Sequence, residues 1–139
     1  MIAPSPVTRS SLPGKVLPIL VPTPMTELPT RIWSDEQWEQ IKLGWKSRNM
    51  DEKWDVFVEG QTVFLHRSWT GFGLYEASFS PVAGGGWRIS AAVVETHPSR
   101  HGRSPDGYHG QTLDAHDRLT LEIVLRADVL GEGGRRPVR

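Results

Sequence analysis

The chain has 139 residues, 37% of them hydrophobic and 23% charged, and its 16 basic and 16 acidic side chains cancel to zero formal charge. That length suits one domain with a modest core, and the charge balance argues against bulk nucleic-acid binding, which calls for a basic excess to neutralise phosphates. The absence of cysteine excludes disulfides, thiolate nucleophiles and Cys-ligated zinc, and no apolar run approaches the roughly 18 residues of a membrane span.

Seven of the eleven prolines fall in residues 1–29: Pro4, Pro6, Pro13, Pro18, Pro22, Pro24 and Pro29. Proline fixes φ and removes a donor, so residues 1–30 read as a Pro-rich, partly disordered segment without regular helix or central strand. Within it, residues 1–14 are expected to be disordered. Residues 15–29 are expected to lie extended across the domain, anchored by Val16, Leu17, Ile19 and Leu20. The apolar piece Val16–Val21 is short and broken by Pro18, unlike a secretory signal, which points to a cytoplasmic protein.

A single α+β domain is expected over residues 31–131. Ser34-Asp35-Glu36-Gln37 has the form of a capping box with acidic residues in the first turn. Trp38, Ile41 and Trp45 then recur at spacings of three and four. This helix should run to Arg48-Asn49, with Gly44 costing it about 1 kcal/mol relative to alanine. Two strands follow, joined by a tight turn at Gly60. An even-length loop puts Trp54, Val56 and Val58 on one face with Val63 and Leu65, which is then the core face. The opposite face collects Asp55, Phe57, Phe64 and His66, with Asp55 and His66 close across the ladder.

A third strand spans Phe72–Ser80, the turn Pro81–Gly86 follows, and a fourth strand spans Trp87–Thr96, apolar enough over Ile89–Val94 to be covered on both faces. Four strands with short links predict an antiparallel meander. Residues 97–111 read as a loop. Leu113–Leu130 reads as a helix with Asp114 and Asp117 early, an apolar set of Leu119, Ile123 and Leu130, and Gly131 as its C-cap. Residues 132–139 form a basic flexible tail.

The densest chemistry lies in His66-Arg67-Ser68-Trp69-Thr70-Gly71, where a strand gives way to a turn. This is a common place for a ligand or partner to be gripped. Asp55 and His66 are the candidate catalytic pair, a carboxylate orienting an imidazole as a general base needs; a cross-strand polar pair at the rim of a sheet is the blander reading. No nucleophile elbow surrounds Ser68. His66, Arg67, Ser68, Trp69 and Thr70 are the candidate ligand-binding residues. His97, His101, His109 and His116 lack a positioned carboxylate or cysteine, so no metal site and no cofactor are expected. Arg100, Arg103, Arg135, Arg136 and Arg139 suit phosphate geometry together with Arg67, although scattered surface arginines are commoner. Gly84-Gly85-Gly86 joins two strands and is no phosphate loop. Six tryptophans are many for this length, and core packing is their ordinary role. For Trp69, burial or exposure separates core from ligand stacking.

Trp54-Asp55-Val56-Phe57-Val58-Glu59 and Phe64 through Gly71 resemble a small bacterial domain of unassigned function that occurs beside or fused to ADP-ribosylglycohydrolase-type proteins. Glu36-Gln37-Trp38 matches the start of that family's helix, and Leu119–Leu130 loosely matches its closing one. The likeness spans residues 33–130, with His66–Gly71 its specific motif; Asp55 stands where the family carries aromatics. The resemblance implies an association with ADP-ribose metabolism and transfers no catalytic residue, and the glycohydrolase's acidic metal-binding motifs are absent from this chain.

The function expected from these readings is a binding or accessory module for a nucleotide-like ligand or a partner in ADP-ribose turnover. Trp69 would stack on the ligand, Arg67 would pair with phosphate, and His66 and Ser68 would hydrogen-bond it. The alternatives are a small hydrolase or transferase using the His66/Asp55 pair, and an immunity-type binder of a partner protein.

Overall fold

Ser34 starts the first helix as a capping box: its Oγ accepts from the Gln37 N–H at 3.1 Å, and the Gln37 side chain accepts from the Ser34 N–H at 2.9 Å. The computed structural model describes residues 5–12, 16–49, 51–101 and 113–132. Helix α1 spans Asp35–Lys42 and buries Trp38 and Ile41. It stops well short of Arg48, because Gly44 lies beyond its end at φ +72° and takes no part in the helix. Trp45 can then pair antiparallel with Val56, their N–H and C=O groups exchanging bonds of 2.9 and 2.8 Å.

The hairpin forms as the alternation predicts. Strand β2, Trp54–Glu59, pairs with β3, Thr62–Arg67, through the two-residue loop Gly60-Gln61, which sets Val58 opposite Val63 and Asp55 opposite His66. Trp54, Val56, Val63 and Leu65 join the main core. The opposite face is not left to solvent, since Asp55, Phe57 and His66 are buried there too. Residues 5–12 cover it, which corrects the expectation of disorder for that stretch; the rest of 1–14 lies outside the described residues. Arg9 sits 4.9 Å over the Phe57 ring and 5.3 Å over Phe64, and its guanidinium grips Glu59 at 2.9 and 3.1 Å. Leu12 is buried, and the Val7 N–H donates to the Leu43 carbonyl at 2.8 Å.

Strands β4, Gly73–Pro81, and β5, Trp87–Glu95, complete the meander. A register shift between Ser78 and Phe79 leaves Ser90 unopposed. Over Ile89–Val94 the burial of β5 is one-sided, with Ile89, Ala92 and Val94 buried and Ala91 exposed; only at the end of the strand is the other face covered, at Glu95.

The sheet has five strands, not four, in the order β1-β5-β4-β3-β2, and all neighbours are antiparallel. The added strand is β1, Pro22–Pro24, drawn from the Pro-rich segment. Its inward groups are those of odd residues: the Val21 carbonyl accepts from Thr96 N–H at 3.2 Å, and Met25 N–H donates to Ala92 at 2.8 Å. Pro22 and Pro24 therefore face away from β5, where a missing N–H costs nothing. Farther along, Trp33 exchanges two bonds with Trp87 at 2.7 and 2.8 Å. The buried anchors of this strap are Met25, Pro29 and Trp33, while the expected anchor Leu20 is 51% exposed.

After the short helix α2, Pro98–His101, helix α3 runs Leu113–Ile123 and continues as a π-helical turn over Val124–Val129, ending at Gly131 with φ +75°. Its buried side is Asp117, Leu121, Val124, Leu125, Ala127 and Val129. The expected stripe is thus corrected: Leu119 and Ile123 are exposed, Leu130 packs only partly, and Asp117 lies in the interior, where it accepts from the Tyr75 hydroxyl at 2.8 Å. The basic tail beyond residue 132 lies outside the described residues.

Candidate functional site

Arg67 ends β3, and the chain reverses through residues 68–70 before β4 begins. The reversal is closed by Gly71 N–H donating to Arg67 at 2.8 Å and Arg67 N–H donating to Phe72 at 2.9 Å, with Gly71 at φ +76°. Ser68 fastens the turn to the segment before β2: its N–H donates to the Lys53 carbonyl at 2.9 Å and its hydroxyl to that of Glu52 at 2.7 Å. The Thr70 hydroxyl accepts from Phe72 N–H at 3.2 Å, a local side-chain bond typical of tight turns.

His66 supports this turn from inside. It is 3% exposed, and its Nδ1–H donates to the Gly71 carbonyl at 2.9 Å. Burial pushes the imidazole below its ordinary pKa and the nearby Arg9 charge adds to that, against the opposing pull of the Gly71 carbonyl and Asp55. The ring is therefore neutral near pH 7. Asp55 is 5% exposed and stands opposite His66 in register, but its Oδ1 accepts from Ser47 N–H at 2.7 Å, and no hydrogen bond joins carboxylate to imidazole. Neither group of the candidate general-base pair is presented to solvent.

Trp69 and Thr70 are the exposed residues of the motif, and Arg67 reaches the surface only in part. Trp69, at the tip of the turn, is 67% exposed, which answers the question of core or surface. Arg67 is half-buried, with its guanidinium 5.1 Å over the Trp54 ring, and it makes no ion pair among the described residues. Trp69 and Ser68 form one side of a shallow depression of about 460 Å³, whose other side is Ser47, Arg48 and Asn49. Arg48 stacks 5.0 Å from the Trp45 ring centre and is ion-paired with Glu52, which holds that carboxyl below its usual range. Sequence reasoning missed Arg48 and Asn49 because their spacing placed them on a helix end; only the early stop at Gly44 turns them towards Trp69.

The remaining candidates are placed as follows. His97 Nδ1 lies 2.7 Å from the Ser99 hydroxyl, and His116 Nε2 lies 3.5 Å from that of Thr120. Among the described residues no group of three His, Asp or Glu is placed to hold a metal; His109 and the side chain of His101 lie outside them. The Arg100 guanidinium lies 4.0 Å over the Phe72 ring, and Arg103, Arg135, Arg136 and Arg139 lie outside the described residues. Glu95 is fully buried and accepts from the N–H groups of Leu20, Val21 and His97 at 2.6, 3.0 and 3.0 Å. Burial alone would raise its pKa, but those donors, with Arg100 nearby, hold it below the usual carboxylate range. It is a structural clamp.

The arrangement at the turn can stack a planar group on an indole, offer a guanidinium to an anion and lend hydroxyl oxygens as acceptors. No protein-family model matches the chain, and neither a search of curated proteins nor one of solved structures gave a match.

Proposed function

We propose that the chain is a binding module for a nucleotide-like ligand, held at the β3–β4 turn. Trp69 stacks on the base and Arg67 pairs with phosphate, while the Ser68 and Thr70 oxygens accept from the ligand. His66 holds the turn from behind. The observation that carries this reading is the exposure of Trp69 on a turn fixed by hydrogen bonds at both ends. An exposed indole on a rigid support loses little entropy when a planar ligand covers it. Stacking of this kind contributes about 1–3 kcal/mol per base, and a guanidinium without an ion pair suits a phosphate.

The test is a thermal-shift titration with ADP-ribose, NAD and ADP. ADP-ribose heads the panel because it is the ligand class implied by the His66–Gly71 resemblance. A dose-dependent rise for one of them, lost in both Trp69→Ala and Arg67→Ala, is the expected result. A silent panel overturns the nucleotide reading. Co-purification of another chain, lost in Trp69→Ala, would then favour a protein partner anchored on the same indole.

A further inference from the structure

The face of the sheet beneath residues 5–12 combines aromatic rings with carboxylates. Phe57 and Phe64 are partners across β2 and β3, and their rings stack at 4.9 Å with 6° between the planes. Glu76 continues this row on β4, opposite Phe64, and Glu59 stands two residues beyond Phe57 on the same face. The Arg9 guanidinium lies over both rings and grips the Glu59 carboxylate through Nε and Nη2. Stacking on rings together with a two-point grip on a carboxylate is recognition of a planar guanidinium, which an ammonium cannot match.

The arm that delivers Arg9 is held lightly. Of residues 5–12 only Leu12 is buried and Val7 half-buried. Among the described residues, the arm's one backbone bond to the rest of the chain runs from Val7 N–H to the Leu43 carbonyl. Both side chains of the Arg9–Glu59 pair are exposed, and such pairs contribute little to stability.

The carboxylates here outnumber the cation. Glu76 is half-buried and makes no hydrogen bond or ion pair among the described residues. Burial pushes its carboxyl up and Glu59 adds to that, while the Arg9 charge opposes them through space. Asp55, also on this face, is buried and already accepts from the Ser47 N–H, and His66 is neutral near pH 7. The face therefore holds one guanidinium fully and leaves Glu76 unmatched.

We infer that this face binds a partner's peptide segment carrying two arginines, and that residues 5–12 occupy the site in cis until such a segment displaces Arg9. One incoming arginine takes the place of Arg9 on Phe57, Phe64 and Glu59, and the second pairs with Glu76. That second contact lets a partner compete with a tethered arm, whose effective concentration is on the order of millimolar. The site lies away from the Trp69 turn, at the Gly60 end of the hairpin, so either can fail without the other.

The experiment titrates the full chain with the peptide Gly-Arg-Gly-Arg-Gly, blocked at both ends. Binding is read by calorimetry and by the backbone amide resonances of Phe57, Phe64 and Glu76. Gly-Lys-Gly-Lys-Gly carries the same charge without the planar fork. The arginine peptide should shift these amides and bind about fivefold more tightly than the lysine peptide. Arg9→Ala should tighten its binding by about tenfold, because the competing arm loses an ion pair and a stacked cation. Arg9→Lys, the milder change, should act in the same direction, and serves if Arg9→Ala does not fold. Glu76→Gln should weaken binding by about two- to fivefold, with Arg9 still on Glu59. The inference is overturned if the amides stay unmoved in both the wild-type and Arg9 variant chains, if the lysine peptide binds equally well, or if the substitutions leave affinity unaltered. A mass that rises with concentration for the wild-type chain alone, and falls back in Arg9→Ala, would assign the site to the arm of a second copy and also overturn it.

Discussion

The imidazole of His66 is neutral because burial penalises its charged form, and that has a consequence for stability. Its pKa in the folded chain lies below the ordinary 6.5, so the unfolded chain binds more protons. Its contribution is fully present above about pH 6.5 and is lost as pH falls from there towards the depressed folded value. Urea midpoints should therefore drop between about pH 7.5 and pH 5.5. The drop should be smaller in His66→Gln, which keeps an N–H for the Gly71 carbonyl but cannot be protonated. Trp69 is the contrasting case. Trp69→Ala should change stability by about 0.5 kcal/mol or less, as surface changes do, while removing the response to nucleotides. The pairing of Asp55 with His66 was legible in the period-2 alternation, but their burial was not. Alternation assigns residues to faces; it does not say that Arg9, some 50 positions earlier, returns to cover the second face.

Among the elements, helix α1 shows where local rules succeed and where they stop. The capping box at Ser34 and Gln37 is a contact between residues three apart, so the sequence displays it directly. The end at Lys42 depends on Gly44, where an added Cβ would lie 2.3 Å from the Val56 carbonyl oxygen. That strand partner is invisible to helical periodicity, which simply continued through Trp45. Gly44→Ala should therefore destabilise the protein by about 1–3 kcal/mol, through the φ of +72° and the clash together. A helix-interior glycine would have responded the opposite way, and chemical denaturation decides between them. Helix α3 carries the same lesson: its buried side includes Asp117, which an apolar count leaves out, because Tyr75 supplies the compensating hydroxyl.

At the scale of the whole molecule, the Pro-rich strap determines how the sheet ends. The proline content correctly argued against a central strand, but an edge strand needs only alternate N–H groups, and Thr23 lies between the two prolines. With Pro22 and Pro24 facing outward, the β1 edge offers no N–H at those positions to a further strand. Replacing both by threonine should restore two donors and promote self-association, seen by light scattering as a mass that rises with concentration. The strap is fastened at its other end by Glu95. Glu95→Ala removes the shared acceptor of three part-buried N–H groups and should cost about 1–3 kcal/mol. Amide exchange should accelerate first at Leu20 and Val21. Unchanged exchange there would mean that the clamp is not what holds the strap.

Those clamp bonds span 74 and 75 positions of sequence, and this separation bears on the order in which the protein assembles. Residues 16–33 leave the ribosome long before β5 exists, so the hairpins of β2 to β5 can form while their future edge is still bare. Closing so long a loop comes late in folding. A nascent chain stalled before Glu95 would carry a completed hairpin, a loose strap and an open strand edge at once. During synthesis, rather than in the finished fold, this protein is most exposed to mispairing with its neighbours.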